Sequence, residues 1–522
     1  MSKKKRVIRL LDRGKRGVFR GIFSRTTVIA LLLIFQLLFL VASYHWFQTY
    51  KVHFEVFEII LSILTVLYLI NSDMDSTAVI TWLLILVPFP LIGTLFLIYT
   101  KQDFGFKSMK AGIQRTIDAT QPYLIQDSEA VLELKKRHSS NYNLVSYLEH
   151  SSGHFPVYRQ TDVTYFSSGE EKFKALKEEL RKAKHYIFLE YFIISEGLMW
   201  GEILAILEQK VAEGVEVRVM YDGMIEFSTL SFDYTDRLEK IGIKAKAFAP
   251  LSPFISTYYN YRDHRKILVI DGKVAFTGGI NLADEYINHI ERFGYWKDTA
   301  IMLKGRAVDT FTILFLQLWH ANQEEVSVEP YLPLHEARPH NGFIIPYGDS
   351  PLDDDKIGEN VYIDILNQAR DYVHIMTPYL ILDGELAHAL KFAAQRGVDV
   401  KLIMPSIPDK KIPNALAKTY YASLIKAGVK VYEFTPGFIH AKVFVSDHQK
   451  AVVGTINLDY RSLYHHFECA AYMYQVACIP HIEQDFQNTL LQSHLVTLKD
   501  VHKRPLITKL IGTIAKTMAP LM

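Results

Sequence analysis

Tyr261–Leu282 reads Y-R-D-H-R-K-I-L-V-I-D-G-K-V-A-F-T-G-G-I-N-L, and Gly437–Leu458 reads G-F-I-H-A-K-V-F-V-S-D-H-Q-K-A-V-V-G-T-I-N-L. In the second stretch His440, Lys442, Asp447, Gly454 and Asn457 repeat His264, Lys266, Asp271, Gly278 and Asn281, all at one offset of 176 residues. Chance does not keep five polar and glycine positions in register over such a span, so the chain carries an internal repeat.

Each copy reads as strand, turn, strand. Ile267, Val269 and Ile270 are β-branched, and Asp271-Gly272 is a strong two-residue hairpin signal. Alternate residues of a strand share a face, so His264 and Lys266 point the same way. Asp271 has the opposite parity and sits at the turn, where it is expected to hold local backbone or an ion pair. Gly278 and Gly279 let backbone amides approach a ligand just ahead of Asn281. A His, a Lys and an Asn amide on one surface suit a phosphate. Lys brings charge, Asn brings N–H donors, and His attacks phosphorus or carries a proton. A single H-x-K would be an ordinary surface strand. Two copies in register, each with a following Gly-x-x-Asn, bring two histidines to one phosphate when the halves face each other. One is then nucleophile and the other general acid, as a two-step displacement through a phosphohistidine requires.

This pattern resembles the HKD signature of the phospholipase D superfamily, H-x-K-x4-D twice in one chain with a following Gly and Asn. The flanking text is similar to bacterial cardiolipin synthases of the phospholipase D type. The similar segments are N-Y-R-D-H-R-K from Asn260, G-G-I-N-L-A-D-E-Y from Gly278, F-G-Y-W-K-D-T from Phe293, T-P-Y-L from Thr377 and N-L-D-Y-R-S-L from Asn457. The similarity runs from about Tyr165 to the C-terminus and includes the apolar N-terminus. Two positions depart from it: Leu382 stands where the family has a second Pro, and His466 where an Asn is usual before F-E.

The resemblance implies a phosphatidyltransferase that makes cardiolipin and glycerol from two phosphatidylglycerol molecules through a phosphatidyl-histidine. It implies a catalytic set of His264, Lys266, Asp271, His440, Lys442 and Asp447. His264 is the expected nucleophile and His440 the acid and then base, or the two are swapped. Lys266, Lys442, Asn281 and Asn457 are expected on the phosphate oxygens. Asp298 in W-K-D-T and Glu468 in H-F-E are, in the resemblance, acids that orient the histidines. Gly278, Gly454 and Ser462 support the site, although Ser462 equally suits a helix cap. A hydrolytic member of the superfamily, a phospholipase D or phosphodiesterase using water, is the alternative reading. The expected partners are phosphatidylglycerol, other anionic phospholipids and the membrane, with no nucleic acid.

The chain has 522 residues, enough for two or three domains, and a net charge of +2, which says little about partners. Charge is uneven, however. The first 25 residues hold ten Lys or Arg and one acid, Asp12. Three apolar stretches follow, and a span needs about 20 apolar residues. Thr27–Trp46 and Thr77–Tyr99 are uncharged; Phe54–Ile70 carries Glu55 and Glu58 near its start. The organisation expected is a basic tail (1–26), transmembrane helices at 27–48, 54–71 and 77–99, a linker with some helix (100–160), repeats at 161–335 and 336–500, and an amphipathic segment (501–522). That makes a multi-pass protein of the bacterial plasma membrane. The basic tail belongs inside. Three full spans, the expected arrangement, then put the catalytic part outside; against that, the acidic loop Asn71–Ser76 reads as an outside loop and the lysines after 100 favour the inside, which follows if the first segment is re-entrant or interfacial and the catalytic part faces the cytoplasm.

Within the repeats, strand and helix patterns alternate, which implies an α/β fold of mixed sheets covered by helices. Helical patterns stop at Gly214 and Gly397, good C-terminal caps. The Pro-rich run Glu329–Gly342 divides the halves, with the site where they meet. Tyr191 and Tyr379 read as core, Glu190 as a possible cleft residue, Cys469 and Cys478 as core thiols, and His465-His466 as strand surface with a weak metal cue. Pro505–Met518 gathers Leu506, Ile507, Leu510, Ile511, Ile514 and Met518 on one helical face, fitting a helix packed on the domain and an interfacial membrane helix equally. No nucleotide-binding glycine loop, H-E-x-x-H, Cys cluster or CDP-alcohol phosphotransferase signature is present, so neither cofactor nor metal is expected.

Overall fold

The computed structural model describes residues 34–39, 41–42, 50–72, 74–101, 107–137, 140–250, 261–321, 323, 325–336, 338–339, 342–353 and 355–521. The first repeat supplies β1 Thr161–Phe166, β2 Tyr186–Tyr191, β3 Glu216–Asp222, β4 Lys244–Phe248, β5 Arg262–Asp263, β6 Lys266–Ile270, β7 Val274–Gly278, β8 Tyr295–Lys297 and β9 Ala300–Gly305. The second supplies β10 Phe343–Asp349, β11 Tyr372–Met376, β12 Asp399–Pro405, β13 Lys430–Phe434, β14 Gly437–Ile439, β15 Val443–Ser446, β16 Lys450–Gly454, β17 His466–Tyr474 and β18 Ser493–Leu495. One sheet runs β1-β9-β7-β6-β2-β3-β4 and the other β10-β17-β16-β15-β11-β12-β13-β18. The first seven strands of the second sheet replay the first sheet one for one, with helices between the strands as the alternation predicts.

The motif hairpins are the centre of each sheet. β6 and β7 are joined by Asp271 and Gly272 at φ 53° and 62°, and β15 and β16 by Asp447 and His448 at φ 52° and 55°. Positive φ at both central residues suits the right-handed twist of the flanking strands. The Asp271 carboxylate accepts the backbone N–H groups of Lys184, His185 and Tyr186 at 2.7–2.8 Å. Asp447 does the same for Arg370, Asp371 and Tyr372 at 2.9–3.0 Å. Each acid therefore tethers the start of its neighbouring strand, β2 or β11, as its parity predicts.

Two short pairings stitch the halves together. β5 runs parallel to the start of β17 at His466 and Phe467, and β8 runs parallel to β14. The helix Val308–Trp319 is buried at every residue but Asp309, and Phe311 and Phe315 share a core with Tyr347, Val373 and Ala470 of the second repeat. The stretch read as a linker holds helices Lys107–Thr120, Ser128–Lys136 and Asn141–His150. Their Ile113, Leu134 and Leu148 are buried in that same core, so these helices are part of the folded body.

Ahead of this body lie α1 Lys51–Ile70, α2 Ser76–Leu86 and α3 Pro90–Lys101; α4 Lys411–Lys426 and α5 Leu506–Thr517 belong to the second half. Among the described residues α1 alone is long and apolar enough to cross a membrane. The expected helix at 77–99 is instead two helices. Pro88 and Pro90 each lack an N–H and clash with the preceding turn, so the helix ends at Leu86 and restarts at Pro90. The two limbs fold back on each other, with Trp82 and Phe96 ring centroids 5.4 Å apart. Thr65 and Thr94 hydroxyls at 3.1 Å link α1 to α3. The basic tail and most of 27–48 lie outside the described residues; 34–39 and 41–42 are helical.

Candidate active site

Each motif histidine is held by both halves of the chain. The backbone N–H of His264 donates to Phe467 O at 2.9 Å, and that of His440 to Lys297 O at 2.7 Å, extending the two strand pairings that cross the seam. The side chains cross as well. His264 Nδ1 lies 2.8 and 2.9 Å from the two oxygens of Glu468, in the second repeat. His440 Nδ1 lies 2.7 Å from Asp298 Oδ2, in the first. A carboxylate on Nδ1 fixes the ring and leaves Nε2 for chemistry. Glu468 is itself held by the Thr455 hydroxyl, and Asp298 accepts the Thr299 N–H at 2.8 Å.

The lysines repeat the symmetry. Lys266 Nζ donates to His264 O at 2.6 Å and Lys442 Nζ to His440 O at 2.5 Å. All four groups are buried. Burial lowers the Lys266 ammonium to about 8 and the Lys442 ammonium to about 7. Burial, then the Lys442 charge, lowers His440 to about 4 against the pull of Asp298. His264 is held well below the usual imidazole range by burial and by the Lys266, Lys442 and His440 charges. His440 is among the charges that lower His264, so the two rings lie within electrostatic reach of each other. Asp298, though burial alone would raise it, is kept below the ordinary carboxylate range by His440 and Lys442.

The asparagines diverge. Asn281 Oδ1 accepts the Ile193 N–H at 3.0 Å and its Nδ2 donates to Tyr286 Oη at 2.8 Å, so its amide is engaged in holding loops. Asn457 is buried, with an Oδ1 that has no partner among the described residues. Ser462 is not a cap: Asp459 caps the helix Tyr460–Tyr464 by accepting the Ser462 backbone N–H at 2.9 Å, and the buried Ser462 hydroxyl has no partner among the described residues. Gly278 sits at φ 142°, where a Cβ would press on Thr299 and Ala300, and a Cβ at Gly454 would strike Ala470. Asp271 and Asp447, grouped above with the catalytic set, are bound to backbone at the hairpin ends. Glu190 pairs with Arg265 at 2.5 Å and is buried there instead of lining a cleft.

Two features went unread in the sequence and a third was misread. Lys172 is fully buried and donates to Ile280 O at 3.1 Å and Tyr191 Oη at 3.3 Å, with burial lowering it to about 7. Its signal was a lysine on the apolar face of Gly169–Lys182, beside Phe173, Leu176 and Leu180. Aromatic rings collar the histidines: Phe192 lies 5.0 Å from the His264 ring, and Tyr286 and Trp296 lie 5.4 and 5.5 Å from His440. His466, read as strand surface, is buried and faces the site. Its ring lies 5.3 Å from that of His264, and neither nitrogen has a hydrogen-bond partner among the described residues. His264, His466 and Glu468 have donor atoms within 4.8 Å of one another, the spacing a metal ion would need, as do Glu359, Asp383 and Glu385.

Known proteins resemble this chain in sequence and in fold. A family model described as "Cardiolipin synthase, PLD-like domain" matches residues 176–319 and 362–490, which contain both motifs. An uncharacterized protein of Streptococcus mutans is 65% identical over 460 residues, covering 88% of this chain and 99% of that protein. A cardiolipin synthase of Alkalihalophilus pseudofirmus is 32% identical over 456 residues, covering 86% of this chain and 90% of that protein. Phosphatidylserine synthase of Haemophilus influenzae shares the fold, with a TM-score of 0.57 at 15% identity over 73% of this chain and 98% of that one. The chain belongs to the cardiolipin synthase family of the phospholipase D superfamily and is a phosphatidyltransferase.

Proposed function

We propose that the protein joins two phosphatidylglycerol molecules into cardiolipin and releases glycerol. The observation that carries this reading is the pair of histidines, each with Nδ1 on a buried carboxylate of the opposite half. His264 Nε2 attacks the phosphorus of the first lipid, and the bond from phosphorus to the glycerol headgroup breaks. His440 gives that glycerol a proton at Nε2. His440 then takes the proton of a hydroxyl on the second phosphatidylglycerol, whose oxygen attacks phosphorus and breaks the P–N bond. Lys266 and Lys442 hold the phosphate oxygens as charge moves, and Asn457 is assigned to them through its amide N–H. The bound phosphodiester anion favours the protonated imidazole that the first step needs, offsetting the burial that lowers it in the empty site.

Membrane attachment is part of the proposal. α1 is about 30 Å long, enough to cross, whereas α2 and α3 are 11 and 12 residues, about 17 Å each. Tyr460 Oη, just past motif two, donates to Asp75 Oδ2 at 3.1 Å at the start of α2. This supports a re-entrant hairpin that enters and leaves on the catalytic side. With α1 crossing, its Lys51 end lies on the far side of the membrane from the catalytic body.

The test is purified protein in detergent with phosphatidylglycerol, followed by lipid separation. Cardiolipin and glycerol in equal amounts are expected, and His440→Ala lowers turnover by about 10²–10⁴-fold with the fold intact. Phosphatidic acid as the sole product would sink the reading in favour of hydrolysis.

A further inference from the structure

α5 is packed the wrong way round for a soluble domain. Gly512 and Ala515 face the body, with the Gly512 backbone close against Ala415 and Thr419 of α4. The opposite face carries Leu506, Ile507, Leu510, Ile511 and Ile514, exposed by 82, 68, 60, 41 and 58%. In water this face would be the one to bury. Its surroundings say what covers it. Thr81 Oγ1 of α2 donates to Thr517 O at 2.7 Å. Leu521, just after α5, packs on the cluster of Leu69, Trp82, Leu86 and Leu97 in the apolar N-terminal helices. Thr81 is six residues beyond Asp75, about 9 Å along the helix axis. An amphipathic helix lying in a bilayer interface is buried by about 5–10 Å. Lys509 and Lys516 flank the apolar arc on the polar side, bonded to His502 O and stacked over Tyr420, where a lysine of an interfacial helix sits.

We infer that α5 lies in the headgroup region of an anionic phospholipid bilayer, its apolar face down, and with the α2–α3 hairpin seats the catalytic cleft against the lipid from which substrate comes. This rests on the phosphatidyl-transfer reading for its purpose but not for its test. Full-length Leu510→Cys and Ile514→Cys proteins, carrying an environment-sensitive fluorophore, are reconstituted into phosphatidylglycerol–phosphatidylcholine vesicles. Cys469 and Cys478 are buried, so the label goes to the new thiol. Glu208→Cys, on an exposed polar helix face, is the control. Expected are blue-shifted emission at 510 and 514 and strong quenching by lipids with a nitroxide at a shallow acyl position, with neither at 208. Water-like emission at 510 and 514 overturns the inference. So does a blue shift without lipid quenching, which means a second copy covers the face. A Leu510→Gln/Ile514→Gln protein is expected to lose at least tenfold in vesicle turnover while matching the parent in detergent micelles; equal loss in both overturns the seating role. Quenching without any cardiolipin formed would sink the reaction proposed above and leave this inference standing.

Discussion

At the scale of single residues, the proposed site depends on carboxylates that hold the histidine rings. Glu468→Gln keeps the shape but supplies an amide to His264 Nδ1, releasing the ring and its tautomer. The expected loss is on the order of 10²–10⁴ in kcat with little change in KM, measured by steady-state kinetics in mixed micelles. Asp298→Asn acts the same way on His440. A rise in KM alone would mean that these acids bind lipid instead of holding rings. The lysines set a pH limit. Lys442 and Lys266, lowered by burial to about 7 and about 8, lose their charge as pH rises through that range, so kcat/KM falls on the alkaline side. Lys442→Arg keeps the charge and is expected to move that limb upward; an unchanged limb would assign it elsewhere. Stability has the opposite slope. Because the folded values lie below the ordinary 10.5, the unfolded chain holds more protons between about pH 7 and 10.5, and these two groups favour folding more as pH rises there.

At the scale of elements, the hairpin acids are scaffolding. Asp271→Ala strips acceptors from three backbone N–H groups at the start of β2. The expected cost is about 2–3 kcal/mol, with activity per folded molecule kept; chemical unfolding and active-site titration read the two separately. The motif hairpins were legible because their signal is local: a two-residue turn, β-branched strands and a constant offset. The crossed pairs were not. The two His–acid pairs join positions 204 and 142 residues apart, and which acid meets which ring is set by strand pairing across the seam. The resemblance named the acids, and the fold decided their partners. His466 was misjudged because strand alternation gives a face but not what covers it, and here another half of the molecule does. The break at Pro88 and Pro90 was written in the sequence, yet an uninterrupted apolar run outweighed it in a reading based on hydropathy.

For the whole molecule, neither repeat contains a finished site. Each lacks the acid for its own histidine and the strand that bonds the histidine's backbone N–H. A chain cut in the Glu329–Gly342 segment and produced as two pieces is expected to be inactive piece by piece. Activity should return only on co-expression, because the pieces share the core around Phe311 and Phe315. Cardiolipin formed by either piece alone would refute the composite site.

The traded carboxylates also constrain how such a chain can diversify. A change of acid length on one side of the seam appears as a displaced imidazole on the other, so tolerated substitutions must come as matched pairs. Glu468 and Asp298 already differ by one methylene, although they answer to rings that began as copies. Duplication made the halves equal; the unlike acids now give the two rings unequal surroundings, which suits the unequal roles proposed for them.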